Sequence, residues 1–159
     1  MTTDIDPRQD PVLGTNDADL AEARAAVDRL VSELQAGIDQ HDADIYNRHF
    51  AHDVTWGSPH GEIVVGYDDL HAIHTQLQLQ AKQDSAMWGS SRYEVVHVAA
   101  PAPGVALAHV RRLTLDPDGT PRPTEKTTPS TFSEMALYVL IRHNGTWWLA
   151  AGQNTIIGQ

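Results

Sequence analysis

Cysteine is missing from all 159 residues, which excludes a disulfide framework, a thiolate metal site and a cysteine nucleophile. Positive charge is scarce as well: 11 Lys and Arg face 21 Asp and Glu, for a formal net charge of −10 at pH 7. Such a chain repels phosphate backbones and anionic lipid unless a local basic patch offsets the deficit. The Lys and Arg residues are scattered, so no nucleic acid and no membrane surface is expected as a partner. No apolar run is long enough to span a bilayer. Residues 1–14 carry Asp4, Asp6 and Asp10 among Pro7 and Pro11, without the basic and apolar regions of a signal peptide. The expected location is the cytoplasm, with a disordered tail over residues 1–17 and a single domain over 18–159. A dinucleotide-binding glycine fingerprint, a phosphate-binding loop and a serine nucleophile elbow are also absent. No cofactor is therefore expected, and histidines and carboxylates remain as the reactive groups.

What is present is ordinary for a globular domain, with 41% apolar and 20% charged residues. From Asp19 onward Leu20, Ala23, Val27, Leu30, Val31, Leu34 and Ile38 recur at three- and four-residue spacing, which predicts a helix with Asp17 or Asp19 as its cap. A second, short helix is predicted over Asp42 to Phe50. Val54-Thr55-Trp56 reads as a short strand, Gly57-Ser58-Pro59 as a turn, and Glu62 to Val65 as another strand. Tyr67 to Lys82 is helical, with Leu70, Ile73, His74 and Leu77 on one stripe. Two β-rich runs follow, Arg92 to Val98 and Val105 to Leu115, joined through Pro101-Ala102-Pro103-Gly104. Asp116 to Ser130 reads as a long loop. The last strands, Thr131 to Arg142 and Thr146 to Thr155, flank Asn144-Gly145, a strong hairpin signal. Helices segregated from long antiparallel strands define an α+β domain. Met135, Leu137, Val139 and Ile141 alternate with Phe132, Ala136, Tyr138 and Leu140, so this sheet is apolar on both faces. Helices cover one face, and a homodimer through the outer sheet face is expected to cover the other.

This order resembles the nuclear-transport-factor-2-like superfamily. The likeness rests also on Tyr46-Asn47-Arg48-His49-Phe50, on Asp53-Val54 and Trp56-Gly57-Ser58-Pro59, and on the run Trp147-Trp148-Leu149-Ala150-Ala151-Gly152-Gln153-Asn154-Thr155. Within the superfamily the chain is similar to snoaL-like polyketide cyclases and small proteins of enediyne gene clusters, from Leu20 to Thr155. The resemblance implies a cone in which a curved mixed sheet wraps round three helices of the N-terminal half and encloses an apolar pocket. It also implies a dimer and a hydrophobic, oxygenated small-molecule ligand of polyketide-type secondary metabolism. Members include isomerases, a dehydratase, an epoxide hydrolase, cyclases and pure binders, so the fold leaves the activity open. Where the isomerases carry a general-base aspartate this chain has Trp56, and the Tyr, Asp and two-His set of the dehydratase has no convincing match.

Candidate site residues follow from strand parity. His109 and Arg111 share a face with Val105, Leu107, Leu113 and Leu115, and polar groups there need partners or a ligand. His109 is a candidate acid or base and Arg111 an anchor for a carboxylate or enolate; the plainer alternative is structural pairing, with Glu134 or across a dimer seam. Glu134 shares its face with Phe132, Ala136, Tyr138 and Leu140, making it a candidate proton carrier with Tyr138 as hydrogen-bond donor; a salt bridge to Arg111 or Arg92 is the alternative. His74 lies on the apolar stripe of its helix. The pairs His71-x-x-His74 and His49-x-x-His52 lack a third ligand at a fixed offset, so no metal is expected. In the cone, Trp56 and Trp88 are expected near the cavity, able to stack on a flat ligand. Gln153 and Asn154 point to opposite faces, so at most one faces the pocket. The two open readings are a cofactor-free cyclase, isomerase or dehydratase and a non-catalytic binder or sequestering protein.

Overall fold

The structure, a computed structural model, describes residues 16–123 and 132–158. Helix α1 (Asp17–Gln40) is capped by Asn16, whose side chain accepts from the Asp19 amide, so the helix starts inside the stretch expected to be a tail. Residues 1–15 and residues 124–130 of the expected loop lie outside the described residues. Ala23, Ala26, Val27, Leu30 and Leu34 form the buried stripe of α1. The helix ends at His41, left-handed at φ 52°. Asp42 caps the short α2 (Ala43–Tyr46). That helix is shorter than expected, because the chain is already extended from Phe50 in β1 (Phe50–Gly57).

Strand β2 (Ile63–Val65) returns antiparallel to β1, and α3 (Tyr67–Gln83) follows. One turn unforeseen in the sequence, α4 (Ser85–Trp88), is capped by Asp84. The long strands are β3 (Ser90–Ala102), β4 (Val105–Leu115), β5 (Ser133–His143) and β6 (Thr146–Ile157). They form one sheet in the order β2-β1-β6-β5-β4-β3. Only β1 with β6 is parallel, and the remaining pairs are antiparallel.

Register shifts help decide which side chains face inward. Opposite β5, Val139 pairs with Ala151 and Leu140 with Leu149, so β6 carries an extra residue there. An inserted residue reverses strand parity. Trp147 and Leu149 are buried before it, Gly152 and Asn154 after it. A second shift lies between Val95 and His97 on β3.

Helix α1 packs across β3 and β4. The inward row of β4 is Ala106, Ala108 and Val110, all buried. Small side chains there let the helix approach closely, while the larger Leu107 is only half-buried on the outer face. The core joins these residues to Tyr46, Phe50, Val54, Trp56, Tyr138 and Leu149.

Candidate functional site: a cavity under helix 3

A cavity of about 490 Å³ opens between α3, α4, the β1–β2 turn, the end of α1 and the inner sheet face. Its exposed rim is mixed, with Asp39, His60, Glu62 and Ser90 beside an apolar stretch on α3. Ile73, Leu77 and Ala81 of α3 line it together with Trp88; Ile73 and Leu77 are 43% and 39% exposed although they belong to an amphipathic helix. Leu70, His74 and Gln78, one turn apart on the same helix, are its buried row.

The deep wall is polar and internally paired. Arg112 of β4 donates from Nε to Glu134 Oε2 at 2.8 Å, and only 17% and 14% of the two side chains is exposed. The guanidinium also reaches Ser91 Oγ and Thr114 Oγ1, both at 3.2 Å, and the Phe132 carbonyl at 3.3 Å. Burial acts to lower the Arg112 pKa, but the Glu134 carboxylate and the neighbouring phenols outweigh it and hold the group charged. Beside this pair the hydroxyls of Tyr46 and Tyr93 are 2.9 Å apart. Burial pushes the Tyr46 phenol up to about 12 and Tyr93 well above its usual range. Both are therefore neutral hydrogen-bonding groups at physiological pH.

His74 sits edge-on among Tyr46, Phe50 and Trp56, with ring centroids 4.9, 5.9 and 5.5 Å away. Its Nδ1 lies 2.8 Å from Oδ1 of Asn47, a fully buried side chain. Burial, with a smaller effect from His71, pushes the His74 pKa down to about 3, so the ring is neutral. Asn154 closes the wall, donating from Nδ2 to the Gly57 carbonyl at 3.3 Å.

Of the residues singled out in the sequence, Trp56, His74, Trp88, Glu134 and Asn154 line the cavity. Tyr138 is fully buried behind it and stacks on Trp56 at 5.8 Å. Trp56 also stacks on Phe50 at 5.5 Å and is 7% exposed, which leaves little ring surface for a ligand. Trp88 is the better-placed platform. Gln153 is exposed, with Nε2 bonded to backbone carbonyls of Ser58 and Asn154.

His109 and Arg111 are on the opposite side of the sheet from the cavity. His109 is exposed and pairs across strands with His97, rings 6.2 Å apart; Arg111 bonds Glu94. The ligand contact expected of them fails because β4 is apolar on both sides, and the row that faces the cavity side is the one with the smaller side chains, Ala106, Ala108 and Val110. Glu134 accordingly pairs with neither Arg111 nor Arg92 but with Arg112. The histidine pairs diverge: His71 bonds Asp44 at 2.7 Å and His49 bonds Glu33 at 2.6 Å, while His52 is exposed.

Sequence reasoning missed Arg112, Asn47 and the Tyr46–Tyr93 pair as site components. For Arg112 the signal was the alternation Ala106, Ala108, Val110, Arg112, with small residues marking the side under a helix. It also missed His41, whose Nδ1 is buried without a hydrogen bond at the cavity edge.

No family model and no curated protein matches the sequence. Solved structures do. One is an uncharacterized protein with a cystatin-like fold from Caulobacter vibrioides, at 22% identity, 86% coverage of this chain, 91% of the other and a TM-score of 0.65. Another is an NTF2-like protein of unknown function from Shewanella oneidensis, at 13% identity, 83% and 98% coverage and a TM-score of 0.62. A third is a ketosteroid isomerase-like protein from Erwinia carotovora atroseptica, at 15% identity, 91% and 100% coverage and a TM-score of 0.61. With its helices laid inside a curled six-stranded sheet, the chain has the nuclear-transport-factor-2-like, cystatin-like cone fold.

Proposed function

We propose that the protein binds a hydrophobic, oxygenated small molecule of polyketide type in the cavity beneath α3. The carrying observation is the combination of an apolar stretch of lining, Ile73, Leu77 and Trp88, with a paired polar wall at the depth of the cavity. A mostly apolar concavity with a few convergent polar groups is the usual form of a small-molecule site. The polyketide class and the snoaL-like likeness are supported by the Trp56-Gly57-Ser58-Pro59 and Trp147 to Thr155 motifs.

Within this reading, holding the ligand unchanged is better supported than converting it. A general acid or base works best with a pKa near the operating pH. His74 is far below that range and the two phenols far above it. Cofactor-free isomerisation, cyclisation or dehydration is the second reading, favoured by the Glu134 carboxylate on the wall. In it Glu134 carries the proton, with the Tyr46–Tyr93 hydroxyls facing developing oxyanion charge. His109 and Tyr138, the other proton carriers inferred from sequence, do not line the cavity, and this reading no longer uses them.

The test is incubation with aromatic polyketide candidates followed by chromatography of the recovered ligand. Saturable binding with unchanged ligand supports the binder. Product formation that Glu134→Gln lowers about a hundredfold or more supports the enzyme. Absence of binding across the set rejects both.

A cytoplasmic homodimer completes the proposal. Leu137 and Ile141 of β5 stand exposed on the outer sheet face, and exposed apolar side chains on a sheet face favour association. Light scattering should give twice the chain mass and Leu137→Lys should lower it; a monomer at high concentration refutes the pairing.

A further inference from the structure

The proposed pocket also specifies what kind of polar group its ligand must offer. Asn47 turns its carbonyl oxygen to His74 Nδ1 at 2.8 Å. An amide oxygen only accepts, so Nδ1 carries the ring proton and Nε2 is left with its lone pair. Three aromatic rings pack against the imidazole and fix its plane. His74 lines the cavity. Among the described residues Nε2 has no hydrogen-bond partner, and it is not one of the enclosed unpaired atoms, which are His41 Nδ1 and Asn47 Nδ2. The lone pair therefore opens on the cavity. Since burial keeps the ring neutral down to a pKa of about 3, it stays an acceptor across the physiological range.

Two further groups are turned the same way. Asn154 spends one of its two amide N–H groups on the Gly57 carbonyl and keeps Oδ1 as an acceptor. Glu134 uses Oε2 for Arg112, leaving Oε1. Arg112, the one Lys or Arg among the described residues that line this wall, is occupied by Glu134, Ser91, Thr114 and the Phe132 carbonyl. An anionic ligand would therefore meet the Glu134 carboxylate and the His74 lone pair with the guanidinium already engaged, and the one hydroxyl hydrogen the Tyr46–Tyr93 pair leaves over is a neutral donor.

Resting on the pocket reading above, we propose that the ligand is an uncharged hydroxylated compound, a phenol or alcohol, whose O–H donates to His74 Nε2. Ethers, ketones and carboxylates of the same shape are discriminated against, because they leave the buried nitrogen unsatisfied.

The experiment measures binding of 2-hydroxyanthraquinone and 2-methoxyanthraquinone, at a pH where the phenol is un-ionised, by tryptophan fluorescence and calorimetry. The natural sequence should bind the phenol about tenfold or more tightly than the ether. His74→Phe, which keeps an aromatic ring in the same packing, should shrink that ratio to within about twofold. Equal affinities in the natural sequence, or a preference for the ether, overturn the inference and leave the pocket reading standing. A phenol preference that survives His74→Phe also overturns it. If neither compound binds up to its solubility, the pocket reading itself fails, and the inference with it. The comparison on the natural sequence stands even if the variant does not fold.

Discussion

Replacing Arg112 by Met tests the wall of the cavity. The substitution keeps an unbranched side chain of similar reach but removes the charge and the donors. Glu134, 14% exposed, loses its cation. Ser91 Oγ, Thr114 Oγ1 and the Phe132 carbonyl each lose a contact with the guanidinium. Removing one partner of a buried pair costs about 3–5 kcal/mol, a large part of the roughly 5–15 kcal/mol that holds a typical domain folded. At about 2–4 °C per kcal/mol for a chain of this size, Tm should fall by about 6–20 °C. The double replacement Arg112→Met with Glu134→Leu substitutes an apolar pair for the ionic one and should recover most of the loss. Urea unfolding at neutral pH, followed by tryptophan fluorescence, measures all four corners of the cycle, with an unchanged m-value confirming that stability alone has moved. A single-variant cost under about 1 kcal/mol would mean that the pair behaves as an exposed one. A double variant that loses the sum of both singles would mean the two residues are not coupled. Either result refutes the reasoning.

Three further outcomes follow from the same physics. His74 has a folded pKa near 3, below its ordinary 6.5, so the unfolded chain binds its proton first and stability drains away as pH falls from about 6.5 towards 3. By pH 5 the loss should reach about 2 kcal/mol; His74→Phe should flatten that slope relative to the natural sequence, and parallel slopes in urea titrations would contradict it. Gly37→Ala should destabilise by about 1–3 kcal/mol, although the change in mid-helix ordinarily stabilises, because the new Cβ would stand 2.6 Å from Tyr46 Cβ and 2.7 Å from its backbone. A higher urea midpoint would show that α1 and α2 yield at no cost. Tyr46 should resist ionisation up to about pH 12, and a spectrophotometric titration of Tyr93→Phe in which Tyr46 titrates near 10 would show that the hydroxyl is solvated.

Most of the architecture was legible because its signals are local. The three- and four-residue spacing of α1 and α3, the Asn144-Gly145 turn and the alternation on β5 each report the element that carries them. Glu134, Phe132 and Tyr138 were correctly placed on one face, which the structure turns inward, since β5 keeps a single parity there. What failed depended on neighbours. On β4 both rows are apolar, and Ala106 and Ala108 face α1 because a helix needs small residues to come close, a fact about the partner element that hydrophobicity does not encode. The choice of the His109 and Arg111 row followed from that ambiguity, and Arg112, one residue further on, was passed over. On β6 the bulge at Ala150 decides that Asn154 and not Gln153 turns inward, and no residue pattern announces an insertion opposite Val139 and Leu140. The role of Asn47 was hidden because its partner, His74, lies 27 positions away.

The central claim is that the cavity under α3 holds a small hydrophobic, oxygenated molecule, and native mass spectrometry tests it most directly. The protein is incubated with an extract rich in aromatic polyketides and examined under native and denaturing conditions, beside an Ala81→Trp variant that fills the mouth. The account predicts a discrete added mass on the natural sequence, released on denaturation and lost in Ala81→Trp. No added mass at any extract concentration, or one retained equally by the filled variant, would contradict it.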